Sequence, residues 1–193
     1  MIFDEHPSIW VVSYSSSNFQ GVRLDLPVSS LSLAFTLNLM GENKESVGYY
    51  QEWGSWPSET EFSPISTSKL NYYNWLMVLY TALSDLEKQK FNFIIHDLTS
   101  LVWDDFTDML KVIINLDQYV YYPDIHTSEE FLAWLQESKP FLFSAASPSD
   151  YNSILDIYLD SRDIDFGPRG MGFLKEDAVL RELPSIPAQY EVF

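Results

Sequence analysis

The chain of 193 residues contains no cysteine. That excludes disulfides, thiolate nucleophiles and cysteine-based zinc sites. It is also poor in bases, with 11 Lys and Arg against 28 Asp and Glu, which leaves a formal net charge of −17. Such a surface repels nucleic-acid phosphates and anionic lipid heads, so neither is expected as a direct partner. Opposite fields steer association, and a basic protein is the natural counterpart. No run approaches the ~18 apolar residues of a membrane span. The opening MIFDEHPSIW carries acids where a signal peptide carries bases, and a cytoplasmic protein is expected. Familiar catalytic signatures are missing too. There is no HExxH and no G-x-S-x-G, and Gly167-Pro-Arg-Gly-Met-Gly172 fits neither the Walker nor the dinucleotide pattern. No catalytic residue, metal ligand set or cofactor is expected.

What is present is apolar. The chain is 46% hydrophobic and 16% aromatic, enough to bury a sizeable core. One domain over 1–193 is expected, with room for a minor C-terminal lobe from about 127. Ser8–Tyr14, Gly21–Leu26 and Val47–Trp53 carry strand composition. Leu31, Leu33, Phe35, Leu37 and Leu39 alternate with smaller residues, a period of two that predicts a strand with five large side chains on one face. A polar turn at Ser15–Asn18 and a loop at Gly54–Ser66, with Trp56 and Phe62 tucked back, separate these strands. Steps of three and four from Leu70 to Leu86 predict one helix over Thr67–Lys88, capped by Ser66 or Thr67. The run Phe91–His96 is then expected as a central strand and Gln118–Tyr122 as another. Thr127 and Glu130 have capping-box spacing and open a helix to about Ser138. Pro140–Ser144 is strand-like, Ser147–Asp150 starts a helix through Asp160, Asp163–Gly172 is a loop, and Phe173–Leu183 is a last helix before a surface tail. The class predicted is α+β, a mainly antiparallel sheet from the N-terminal half with helices packed on one side.

Carboxylates are the candidate functional groups. Wrapped at about 100° per residue, Leu101–Asn115 has an apolar stripe of Val102, Phe106, Met109 and Ile113. Asp104 and Asp108 lie opposite, with Asp105 at their edge. Leu101 and Val112 fall within that acidic arc, and acids mixed with apolar groups are what an interface to a basic protein needs. If this helix binds, both should be exposed. Asp156, Asp160, Asp163 and Asp165 form a second cluster. It fails as a calcium loop, because Pro168 and Leu174 occupy the sixth and twelfth positions counted from Asp163. Leu101, Asp104, Asp105, Asp108, Val112, Asp160, Asp163 and Asp165 are therefore the expected partner-binding residues. His96, ending a strand beside Asp97, suggests a dyad, but a strand-terminal histidine bonded to a nearby backbone group is the favoured reading.

With MIFDEHPSIWVV at its start and the tryptophan-bearing GYYQEW segment, the chain resembles a bacterial immunity protein of a contact-dependent or polymorphic toxin system. Glu5-His6-Pro7 stands where some such families carry a Gly-Asp-Pro turn. The resemblance implies an antitoxin that binds a cognate basic toxin domain, commonly a nuclease, and covers its active site or substrate surface. Two other readings are open on the same charge. One is a phage-encoded acidic inhibitor of a host defence nuclease, mimicking nucleic acid. The other is an enzyme using the acids with a divalent metal.

Overall fold

The computed structural model describes residues 7–14, 21–53, 61–98 and 106–193. The fold is α+β, with six α-helices and two antiparallel sheets among the described residues. The chain forms two compact units, one of Ile2–Ala82 with Pro184–Phe193 and the other of Leu83–Leu183. No helix among the described residues is long and apolar enough to cross a membrane.

In the first unit, β1 (Ser8–Ser13), β2 (Gly21–Asp25), β3 (Val47–Trp53) and β4 (Glu61–Pro64) form a sheet in the order β2-β1-β3-β4. Val11 lies opposite Val22 on one side and Tyr49 on the other. Ile9, Val11 and Tyr49 are buried, as the β-branched and aromatic composition of these segments requires. The turn at 15–18 and Trp56 lie outside the described residues.

The segment with the strongest alternation is not a strand. Ser30–Met40 is a helix, α1, whose N-cap Ser29 accepts from the Ser32 amide and which ends at Gly41 with φ 71°. At 100° per residue, Leu33 and Leu37 share one side, while Leu31, Phe35 and Leu39 share the other. Leu33 is 0% exposed and Leu37 6%, whereas Leu31, Phe35 and Leu39 are 79%, 62% and 70% exposed. Two apolar stripes on opposite sides of a helix therefore imitate the period of a strand.

Helix α2 (Thr67–Ala82) starts where expected, with Ser66 Oγ accepting from the Lys69 amide at 3.3 Å. It buries Leu70, Tyr73, Trp75, Leu76, Met77 and Tyr80. Its Asn74, 1% exposed, donates to the Val28 carbonyl at 3.0 Å and accepts from the Val28 amide at 2.6 Å. That pair satisfies both backbone groups of a buried residue, which would otherwise be costly. The last residues of the chain are part of this unit rather than a loose surface tail. Val192 is buried and its carbonyl accepts from Lys44. The Phe193 amide donates to Asn71 at 2.9 Å, its ring meets Tyr49 edge-on, and Tyr190 stacks on Trp75.

In the second unit, the helix expected to reach Lys88 has already stopped at Ala82, and the strand expected at Phe91–His96 is helical. Asp85–Asp97 is α3, opened by a capping box between Ser84 and Glu87. Its Phe91, Phe93, Ile94 and Ile95 are buried; a short continuous apolar run fits a covered helix as well as a central strand. After α4 (Phe106–Ile114) come β5 (Tyr119–Tyr122), α5 (Ser128–Ser138) and α6 (Tyr151–Asp160). Thr127 and Glu130 form the expected capping box on α5. Pro140–Leu142 is a 3-10 turn, not a strand.

The glycine-rich loop expected at 163–172 is a hairpin of β6 (Asp165–Gly167) and β7 (Gly170–Leu174), and β7 pairs with β5 to give the order β5-β7-β6. Both faces of this small sheet are covered. Tyr121 sits opposite Gly172 and packs against the Phe93 ring of α3, with centroids 5.4 Å apart. Tyr122 sits opposite Met171, in the core that α5 and α6 build from Phe131, Leu135 and Leu155. The helix expected at 173–183 is absent beyond the end of β7. The segment runs without regular structure, held by side chains: Gln118 accepts from the Val179 amide, and Asn115 pairs with both backbone groups of Arg181.

Candidate partner interface

Of the first expected cluster, Leu101, Asp104 and Asp105 lie outside the described residues. Asp108 sits in the first turn of α4, where negative charge suits the helix dipole. Its carboxylate meets Lys111 Nζ at 3.1 Å and is only 26% exposed. Val112 is 1% exposed, which corrects its expected place on a binding face. The helix buries Phe106, Met109, Leu110 and Ile113 together with Val112, so its covered arc is wider than the expected stripe. Its polar arc shrinks to Thr107, Asp108 and Lys111.

The second cluster fares differently. Asp160 is the last residue of α6 and is exposed, Asp163 follows in a turn with φ 44°, and Asp165, half-buried, opens β6. Tyr151, Ile154, Leu155, Tyr158 and Leu159 define the inner side of α6. The outer side carries Ser153, Asp156, Ile157 and Asp160, and Ile157 is 72% exposed. Asp156 and Asp160 are one turn apart and so are surface neighbours, with Ile157 beside them. The combination of acids and an apolar residue expected on α4 is thus found on α6. The signal was present in the sequence: at 100° per residue, Ile157 falls among Ser153, Asp156 and Asp160 rather than with Leu155.

Arg162, next to these acids, turns away from them. Its guanidinium pairs with Glu176 and lies 3.8 Å from the Tyr158 ring centroid. Asp156, Asp160 and Asp163 make no ion pair among the described residues.

A second exposed surface belongs to the first unit. Leu31, Phe35 and Leu39 project from α1, and no residue of Ser30–Met40 is charged. Three large apolar side chains at i, i+4 and i+8 form a continuous stripe along about two helical turns.

His96 and Asp97 are not a strand-end dyad; both lie in the last turn of α3. The Asp97 side chain is 7% exposed and accepts from Arg169 Nη1 at 2.8 Å. Arg169 belongs to the β6–β7 turn, and its carbonyl accepts from the Tyr121 hydroxyl at 2.6 Å. Burial first, and then the Asp97 and Asp124 carboxylates, push the Tyr121 phenol above its ordinary pKa, against Arg169. These contacts tie the hairpin to α3. Among the described residues no three His, Asp or Glu side chains converge as a metal site. No known protein family matches the sequence, and no curated protein matches it either.

Proposed function

We propose that the protein is a non-catalytic inhibitor of the immunity-protein kind, which binds a basic toxin domain and covers its active site or substrate surface. The observation that carries this reading is the uncharged, exposed Leu31–Phe35–Leu39 stripe on α1. Contiguous exposed apolar side chains on a water-facing helix favour a protein partner, and aromatic residues serve as interface anchors. The charge of −17 supplies the sign of the partner, and the Asp156–Ile157–Asp160 face of α6 supports it. Carboxylates there would meet the arginines and lysines with which a nuclease holds its substrate.

The test is coexpression with the basic toxin domain of a neighbouring gene, followed by binding measurements on the purified pair. Protection of the cells and copurification are expected. Phe35→Asp should weaken binding at least ~100-fold, as for a central apolar anchor. Asp156→Lys with Asp160→Lys should slow association and flatten its salt dependence. No protection and no binding by any neighbouring basic product would sink the reading.

A further inference from the structure

We propose that the second unit holds a binding site for a compact aromatic anion, a single ring bearing a carboxylate or phosphate, in the cleft between β7, α5 and α6.

The cleft has a volume of about 280 Å³. A dry cavity of roughly 150 Å³ accepts benzene, so this one has room for a ring and one charged group. Tyr122, Trp134, Tyr158 and Phe173 supply its aromatic walls. Flat ligands gain from such walls by stacking and edge contacts beyond simple burial.

Its charge is the opposite of the chain's. Lys139, Arg162 and Lys175 all line this one cleft, three of only 11 bases in the protein. Against them stand Glu176 and Asp177. Glu176 is taken by Arg162, and Arg162 is fixed further by its stacking on Tyr158. The pair therefore forms a neutral wall. Lys139 and Lys175 are left to set the local charge, with Asp177 as the opposing acid. The Lys139 ammonium lies 5.7 Å from the Tyr158 centroid and makes no ion pair among the described residues. Lys175 donates to the Asp117 carbonyl at 2.6 Å and makes no ion pair there either. An ammonium has three donors, so both keep donors for a ligand. Like charges also crowd this end of β7. Burial, and then Lys175, push the Lys90 ammonium below its ordinary pKa, with Asp117 and Glu87 opposing.

Bases that served only to offset a surplus of acid would be dispersed among the acids. Here they gather on aromatic walls instead. A second cleft of about 260 Å³ shares Arg162, Lys175 and Glu176 and lies beside Tyr119 and Leu174. The Arg162–Glu176 pair is thus common to both clefts.

The test uses the full chain labelled with 5-fluorotryptophan, the Trp134 resonance being assigned with Trp134→Phe. Phenyl phosphate, benzoate, inorganic phosphate, benzyl alcohol and benzamidine are titrated in turn. Phenyl phosphate or benzoate should shift the Trp134 signal saturably with Kd about 1 mM or tighter, which some ten heavy atoms readily supply. The better of the two identifies the anionic group. Lys139→Ala with Lys175→Ala should weaken it at least ~10-fold, and Lys139→Arg with Lys175→Arg should restore most of the loss. Benzyl alcohol and benzamidine should bind at least ~10-fold more weakly. Absence of saturation for both aromatic anions overturns the proposal. So does inorganic phosphate binding as tightly as phenyl phosphate, equal binding of the neutral or cationic ring, or indifference to the double alanine variant.

Discussion

Leu33 and Phe35 are two residues apart, and a strand over 31–39 would place them side by side on one buried face. In helix α1 they lie about 200° apart, Leu33 fully buried and Phe35 62% exposed. Truncation should therefore separate them sharply. Leu33→Ala removes a side chain from a closed site and should cost about 2–5 kcal/mol, transfer and cavity terms together. Full burial of a phenylalanine side chain is worth about 1.5–3 kcal/mol, and less than half of that exists at Phe35. Its loss in Phe35→Ala should cost about 1 kcal/mol or less. Urea unfolding at 25 °C, followed by far-UV circular dichroism and tryptophan fluorescence, reads both. With a slope of about 2 kcal/mol/M, the midpoint of the transition containing α1 should fall by roughly 1–2.5 M for Leu33→Ala and by about 0.5 M or less for Phe35→Ala. Leu33→Met keeps most of the volume and should lie below about 1.5 kcal/mol. Equal shifts for the two alanine variants, or a larger one for Phe35→Ala, would refute the helix and the exposed stripe with it.

Two further predictions concern the second unit. Ser84 donates through its hydroxyl at 2.6 Å and its amide at 2.9 Å to Glu87, and these bonds hold the Glu87 carboxyl below its ordinary pKa. A depressed carboxylate stabilises the fold above its unfolded pKa, and that contribution is lost as pH falls through the folded value. In Ser84→Ala, Glu87 should titrate closer to an ordinary glutamate in an NMR titration and acid unfolding should begin at higher pH; an unchanged Glu87 titration would contradict the cap. A Cβ at Gly167 would stand 2.7 Å from Asp97 Cβ and Cγ, atoms that lie against the helix backbone. Gly167→Ala should lower stability by more than about 1 kcal/mol and release Arg169 from Asp97, seen as loss of the Arg169 side-chain NH signal; an unaffected thermal midpoint would show that the hairpin sits farther from α3.

What the sequence disclosed was local. The Thr127–Glu130 box needs four residues and was legible; Ser84-Asp-Leu-Glu87 has the same spacing and marks α3 by the same chemistry. Where regular structure depends on distant partners, local pattern misleads. The β6–β7 hairpin contains three glycines within Asp163–Gly172 and no alternation, and it exists because Tyr121, Phe93 and Asp97 receive it. Residues 175–183 step like a helix, but their amides and carbonyls are claimed by Gln118 and Asn115, some sixty positions earlier. Val112 reads as polar-facing because a helical wheel cannot count neighbours, and the covered arc of α4 extends to it. At the candidate interface the acids of α6 were legible as a cluster, and the helical period already set Ile157 among them; its exposure completes that face.

The closing residues of the chain fold into the unit that its opening residues begin. Lys44, Tyr49, Asn71 and Trp75 all await partners that lie between Tyr190 and Phe193. Synthesis runs from the N-terminus, so the unit begun by Ile2–Ala82 is completed only after Leu83–Leu183 has been made. Through that interval Asn71 on α2 and Tyr49 on β3 lack the contacts that Phe193 brings. The order of construction also makes the two ends chemically interdependent: a change at Phe193 is felt at Tyr49, 144 positions away in sequence but one ring contact away in space.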